Sequence, residues 1–102
     1  MIYVVATIQV APGRRAEVLT EFKALVPLVL AEKGCLEYGP TVDVATGIAA
    51  QGLPRDDTFT VVERWEDVDA LQAHLMAPHM LTYRAKVKGL VLGTTLQVLE
   101  PA

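Results

Sequence analysis

The strongest constraint on this chain is a switch in hydrophobic period. Residues 2–10 alternate: Ile2, Val4, Ala6, Ile8 and Val10 share one face, and Tyr3, Val5, Thr7 and Gln9 share the other. Period two with many β-branched residues predicts a strand. After Ala11-Pro12-Gly13 the period changes. Val18, Leu19, Phe22, Leu25, Val26, Val29 and Leu30 recur at helical spacing, which predicts a helix from about Arg14 to Lys33. Pro27 falls inside it and predicts a kink; Gly34 predicts its end.

The pattern then repeats with different proportions. Cys35 to about Val44 reads as a second strand, with a bulge expected at Gly39-Pro40. Ala45 to Asp57 carries Gly47, Gly52, Pro54 and two adjacent aspartates, the chemistry of a long loop. Thr58 to Trp65 reads as a third strand with Phe59, Val61, Glu63 and Trp65 on one face. Asp67 is placed to cap a helix bearing Val68, Leu71 and Leu75. Pro78 opens a further short helix that ends near Gly89, and Val91 to Glu100 is the last strand.

The order β-α-β-β-α-β has a standard solution, the ferredoxin-like α+β fold. Four antiparallel strands form one sheet, with the helices on one face. At 102 residues the chain is one domain, 1–102. The other sheet face stays bare. It carries either Tyr3 and Val5 or the fully apolar set on strand one, and either Thr60 and Val62 or Phe59 and Val61 on strand three. Neither choice is polar, although one face of such a sheet normally is. Hydrophobic residues make up 52% of the sequence, a share that also calls for a cover. The simplest cover is a second copy, so a homodimer through the open sheet face is expected.

Composition excludes several functions. Net charge is −3, and the longest basic run is Arg14-Arg15, so nucleic-acid binding has no support. No apolar stretch reaches the length of a membrane span. Met1-Ile2-Tyr3-Val4 lacks a signal peptide's positive start, and one cysteine forms no intrachain disulfide; a cytoplasmic location is the expectation. The sequence contains no Ser and no Asn, which removes serine nucleophiles.

The remaining candidates are few. His74 lies at the edge of the Val68, Leu71 and Leu75 stripe. There a histidine can have one buried and one wet nitrogen, as a general base needs, or it can simply bond a backbone carbonyl. Trp65 offers a flat surface for an aromatic substrate or serves as core. Glu63 shares its face and needs a partner if buried; it orients a histidine, takes a proton, or pairs with Arg64 or Arg84. Tyr38, Tyr83 and His79 are weaker candidates for ligand contact. His74 and His79 are five apart, which does not suit a shared metal ion, and Cys35 reads as a small buried hydrophobe. No nucleotide or zinc motif is present.

Two segments carry a family resemblance: Gly34-Cys35-Leu36-Glu37-Tyr38 after the long helix, and Val62-Glu63-Arg64-Trp65-Glu66-Asp67 followed by Leu71-Gln72-Ala73-His74-Leu75 and Ala77-Pro78-His79. The chain resembles the antibiotic biosynthesis monooxygenase (ABM) domain family, including its quinol monooxygenases. The resemblance implies a dimeric α/β barrel with a pocket between sheet and helices in each subunit. It implies oxygenation of anthrones, quinols or related phenols by molecular oxygen with no cofactor. By it His74 is the base, and Trp65, Glu63 and Tyr38 shape the pocket. Two alternatives stand beside it, a keto-enol isomerase using the same base and a non-catalytic small-ligand-binding dimer. The segment 41–57 is longer than the family's usual hairpin and is expected to cap the pocket or reach the partner subunit. The haem-degrading branch fits less well, because it relies on an Asn.

Overall fold

The computed structural model describes all 102 residues. Strand β1 (Ile2–Val10) leads into helix α1 (Arg15–Leu30), then β2 (Cys35–Thr41), β3 (Thr58–Trp65), α2 (Val68–Leu75), α3 (Pro78–Val87) and β4 (Val91–Leu99). The sheet order is β2-β3-β1-β4, and every neighbouring pair is antiparallel. This is the ferredoxin-like α+β architecture that the period switch predicts. No helix is long and apolar enough to cross a membrane.

The two possible faces of β1 are now distinguished. Ile2, Val4, Ala6, Ile8 and Val10 are buried against Val18, Phe22, Leu25 and Val29 of α1, Leu71 of α2, and Met80 and Val87 of α3. Register carries that choice across the sheet: Ala6 pairs with Val61 and Val4 with Glu63, so Phe59, Val61, Glu63 and Trp65 also lie under the helices. The bare face therefore carries Tyr3, Val5, Val62 and Leu99 among threonines and glutamines. Tyr3, Val62 and Leu99 remain 40–45% exposed there.

Local structure departs from the sequence reading in three places. α1 stops at Leu30, short of Lys33, and holds Pro27 inside it. β2 ends at Thr41, not Val44. Its irregularity lies between Cys35 and Glu37, while Gly39 and Pro40 pair regularly with Val62 and Val61. The reason is position: β2 is an edge strand, where proline loses no ladder bond on its unpaired side. The segment 42–57 is a loop tied to its own base. Asp43 and Arg55 pair at 2.8 Å, Arg15 donates to the carbonyls of Arg55 and Thr58, and Gln51 donates to that of Val44.

Gly34 controls how α2 docks. Its φ of +83° suits glycine, and a Cβ there would lie 2.7 Å from the Cβ of Ala70. The turn after α1 thus presses directly on α2. Glu66 N–H donates to Gly34 O at 2.9 Å, and Asp67 caps α2 by accepting from Ala70 N–H at 2.8 Å. His74 lies four residues beyond Ala70, on the same helix face, and so is delivered to the same turn.

Candidate active site

Between the sheet and the helices lies a cavity of about 510 Å³, a size that suits a small organic molecule. Ala6, Ile8 and Val61 form its floor, and Phe22, Met80 and Tyr83 descend from the helices. Polar groups are sparse: Tyr38, Glu63 and His74 at one end, and Arg84, Lys88 and Thr94 towards the other. The cavity opens over β4, whose Leu96 is 41% exposed beside Ala6.

His74 is nearly fully buried, and its Nδ1 lies 2.9 Å from Glu32 Oε2. No buried side-chain nitrogen or oxygen lacks a hydrogen-bond partner, so Nε2, which has none, is the nitrogen left open to the cavity. Tyr38 stands edge-on to the imidazole with ring centres 5.3 Å apart, and Trp65 packs at 4.8 Å. Burial pushes the His74 pKa below the ordinary histidine value. Glu32 offsets part of that, while the charges of His79 and Arg84 act with burial. The ring is therefore a neutral base at neutral pH.

Glu63 finds its partner in the indole next door. Trp65 Nε1–H donates to Glu63 Oε1 at 2.9 Å. Burial raises the Glu63 carboxyl to about 7, and the Glu32 charge adds to the rise, against the lowering effect of the Trp65 bond. Burial also holds the Tyr83 phenol up at about 12 and pushes Tyr38 higher still, with the Glu63 charge next in effect. Both phenols keep their protons. Cys35 is partly buried, and its thiol is raised to about 11 by burial and then by Glu32, which leaves it unreactive.

Four of the residues singled out from sequence, His74, Glu63, Tyr38 and Tyr83, line the cavity. Two do not. Trp65 is completely buried behind Glu63 and His74 and offers no face to a ligand; the aromatic walls are Phe22, Tyr38 and Tyr83. His79 lies in a separate groove with Glu21, Leu25, Leu28, Thr82 and Lys86, and its Nε2 reaches Glu32 Oε2 at 2.7 Å. No residue of the 42–57 loop lines the cavity, so the loop does not cap it within one chain. No group of three or more His, Cys, Asp or Glu side chains has the geometry of a metal site.

Glu32 and Phe22 escaped the sequence reading. Phe22 sits within the apolar stripe of α1 and is indistinguishable there from core. Glu32 left one signal. It is an acid just past a helix C-terminus whose last turn holds no base, an electrostatically poor place for a carboxylate without a specific partner.

Comparison with known proteins agrees with the resemblance. The family model for antibiotic biosynthesis monooxygenases matches residues 1–86. A protein of Escherichia coli (strain K12) described as "Probable quinol monooxygenase YgiN" is 42% identical over 103 residues, covering 99% of this chain and 98% of that one. Among solved structures, PA3566 from Pseudomonas aeruginosa superposes with a TM-score of 0.80 at 28% identity, over 99% of this chain and 93% of its own. Rv0793 from Mycobacterium tuberculosis does so with 0.75 at 27%, over 99% and 94%. A match over most of the chain, by family model and by a full-length relative alike, places this protein in the antibiotic biosynthesis monooxygenase family.

Proposed function

We propose that the protein oxygenates a small quinol, anthrone or related phenol with molecular oxygen and no cofactor, using His74 as the base. The observation that carries this reading is the open Nε2 of a neutral, buried imidazole facing an apolar cavity walled by Phe22, Tyr38 and Tyr83. Nε2 takes the acidic proton of the substrate. The anion passes one electron to oxygen, and the resulting radical and superoxide combine at a ring carbon to give a peroxide. The O–O bond then breaks together with the C–H bond at that ring carbon, and the proton lost there and the one His74 returns both go to the departing oxygen. One oxygen atom stays on the substrate as a new carbonyl, and the other leaves as water. The substrate supplies all four electrons. The protein's share is deprotonation, orientation and the exclusion of water. Arg84 lines the same cavity, and its positive charge favours an anion bound there.

Oxygen uptake with a panel of hydroquinones and anthrones tests the reading. Wild type should consume one oxygen per substrate, and His74→Ala should not. Equal uptake by both removes His74 from the mechanism. Deuterium exchange into a ketone without oxygen uptake points to the isomerase, and tight binding without turnover points to the ligand-binding dimer.

Homodimerisation belongs to the same proposal. Tyr3, Val62 and Leu99 on the bare face, with Val42, Val44, Ile48 and Leu53 on the loop, form exposed apolar surface that a second copy would cover. Sedimentation of Val62→Asp should give a monomer where wild type gives a dimer. The lone free thiol, Cys35, fits a reducing cytoplasm.

A further inference from the structure

Glu32 lies two residues past the end of α1, yet it joins residues 42 and 47 positions away. One of its oxygens, Oε2, meets His74 Nδ1 at 2.9 Å and His79 Nε2 at 2.7 Å. The backbone beneath it is fixed at both ends. Glu32 N–H donates to Val29 O at 2.9 Å, and Cys35 N–H donates to Glu32 O at 3.2 Å. The Gly34 turn that presses on Ala70 sets the distance to α2. The carboxylate is thus held in place, with little of its side chain exposed.

An ionised carboxylate only accepts. Each contact therefore requires a ring N–H on the histidine side. For His74 that puts the proton on Nδ1 and the lone pair on Nε2, the nitrogen facing the cavity. The opposite tautomer would set a nitrogen lone pair against a carboxylate lone pair and turn an N–H towards the substrate, which no general base can use. The second contact answers a different need. A glutamate side chain has three rotatable bonds and loses considerable entropy when held. His79 binds the same oxygen from a groove on the outer side of α1 and α3, away from the cavity.

We propose that Glu32 and His79 are a positioning pair for His74. Glu32 fixes the imidazole tautomer that leaves Nε2 as an acceptor in the cavity, and His79 clamps the carboxylate from outside. The proposal gives His74 the role assigned under the proposed function and rests on that reading for its catalytic meaning. The tautomer itself stands apart from any activity.

Long-range nitrogen–proton NMR of the labelled imidazoles reads the tautomer directly. In wild type, His74 should show a protonated Nδ1 and a bare Nε2. In Glu32→Gln, whose amide can donate to Nδ1, the pattern should invert or mix, with the fold unchanged by circular dichroism. His79→Gln keeps an N–H for Glu32 and should retain the wild-type pattern; His79→Ala should blur it. In oxygen uptake, Glu32→Gln should lower kcat about 100-fold, at the lower end of what a positioned base contributes, with KM nearly unchanged. His79→Ala should lower kcat by less, and His79→Gln should restore most of the loss. A wild-type His74 protonated on Nε2, or a Glu32→Gln variant with an unchanged tautomer, overturns the proposal. So does an unchanged kcat in Glu32→Gln when wild type turns over. If the tautomer responds as expected but no variant, wild type included, consumes oxygen, the positioning pair stands and the oxygenase reading falls.

Discussion

β1 and β4 run side by side in one sheet and are treated very differently by the fold. Val4 of β1 pairs with Val98 of β4, both on the side that faces the helices. Val4 is wholly buried, whereas Val98 is 46% exposed. Ala6 and Leu96, the next inward pair, repeat the contrast. The helices span β1, β2 and β3 and stop short of β4. The consequence is a division of labour. The covered strands hold Tyr38, Glu63 and Trp65 against His74. The uncovered strand gives the cavity a wall of Val91, Thr94 and Leu96, with no titratable group on it. The polar candidates sit where the helices cover the sheet, and the cavity opens where the sheet outruns its helices.

The largest expected effect tests the covered side. His74→Ala should reduce oxygen-uptake kcat by about 10²- to 10⁴-fold, the usual contribution of a positioned base. Because the imidazole is held below the ordinary histidine range by burial, it stays neutral to a lower pH than a free histidine. In a Glu63→Gln background, which removes the neighbouring carboxyl raised to about 7, the rate should accordingly be flat through neutral pH and fall on the acid side, as Nε2 gains a proton. A rate that falls on the alkaline side in the same range would break the contrast, since it would make a protonated group essential.

Glu63 provides the next test. Its carboxyl moves from 4.5 to about 7 on folding. Between those values the folded chain binds more protons than the unfolded one, so stability is greatest below the lower value. It is then lost as pH rises through the upper one. The loss amounts to about 3 kcal/mol, taken as an upper bound. His74 acts in the opposite sense, because its value is lowered on folding. The difference between wild type and Glu63→Gln isolates the carboxyl. In thermal melts at pH 5 and pH 8, wild type should lose stability relative to the variant as pH rises. Parallel melts at both pH values would mean that Glu63 is wetter than its contacts with Trp65 and the cavity imply.

How far these features were legible in the sequence depends on how local their causes are. The limits of β1 and β3 follow from alternation that nothing interrupts, and Asp67 capped α2 as its side-chain chemistry required. Gly39-Pro40 suggests a bulge in β2 because those residues disfavour a strand interior; the edge position that excuses them is a property of the sheet, not of the segment. Alternation places Trp65 and Glu63 on one face but carries no depth. It could not tell that the indole lies behind the carboxylate instead of beside a ligand. Glu32 was least legible of all. Its partners lie on two later helices, and the Gly34 turn that brings them together works through a close approach to Ala70. The sequence suggests a ligand contact for His79 for the same reason: its groove exists only once α1 and α3 have packed.

Val4 and Val98 themselves make the sharpest comparison of stability, being the same residue at paired positions. Val4→Ala removes two buried methyl groups from a filled core and should cost about 2 kcal/mol in chemical denaturation. Val98→Ala should cost about 0.5 kcal/mol or less, as exposed positions do. Equal losses would mean that Val98 is covered in solution, and the measurement repeated on the monomeric Val62→Asp variant would say whether a second copy supplies the cover.

The smallest expected effect concerns the wall over which the cavity opens. Leu96 touches the cavity but is 41% exposed, so its truncation leaves little new void and should shift stability by no more than about 0.5 kcal/mol. A ligand lying against it loses part of an apolar contact, for which a fully enclosed pocket would charge about 10-fold or more per methylene. At a half-open wall the penalty should be smaller, a rise in KM of about 3-fold, with kcat unchanged because nothing on β4 exchanges protons. A fall in kcat for Leu96→Ala would show that β4 helps hold the reacting ring in place as well as admitting it. The line between a chemical side and an access side would then have to move one strand outward.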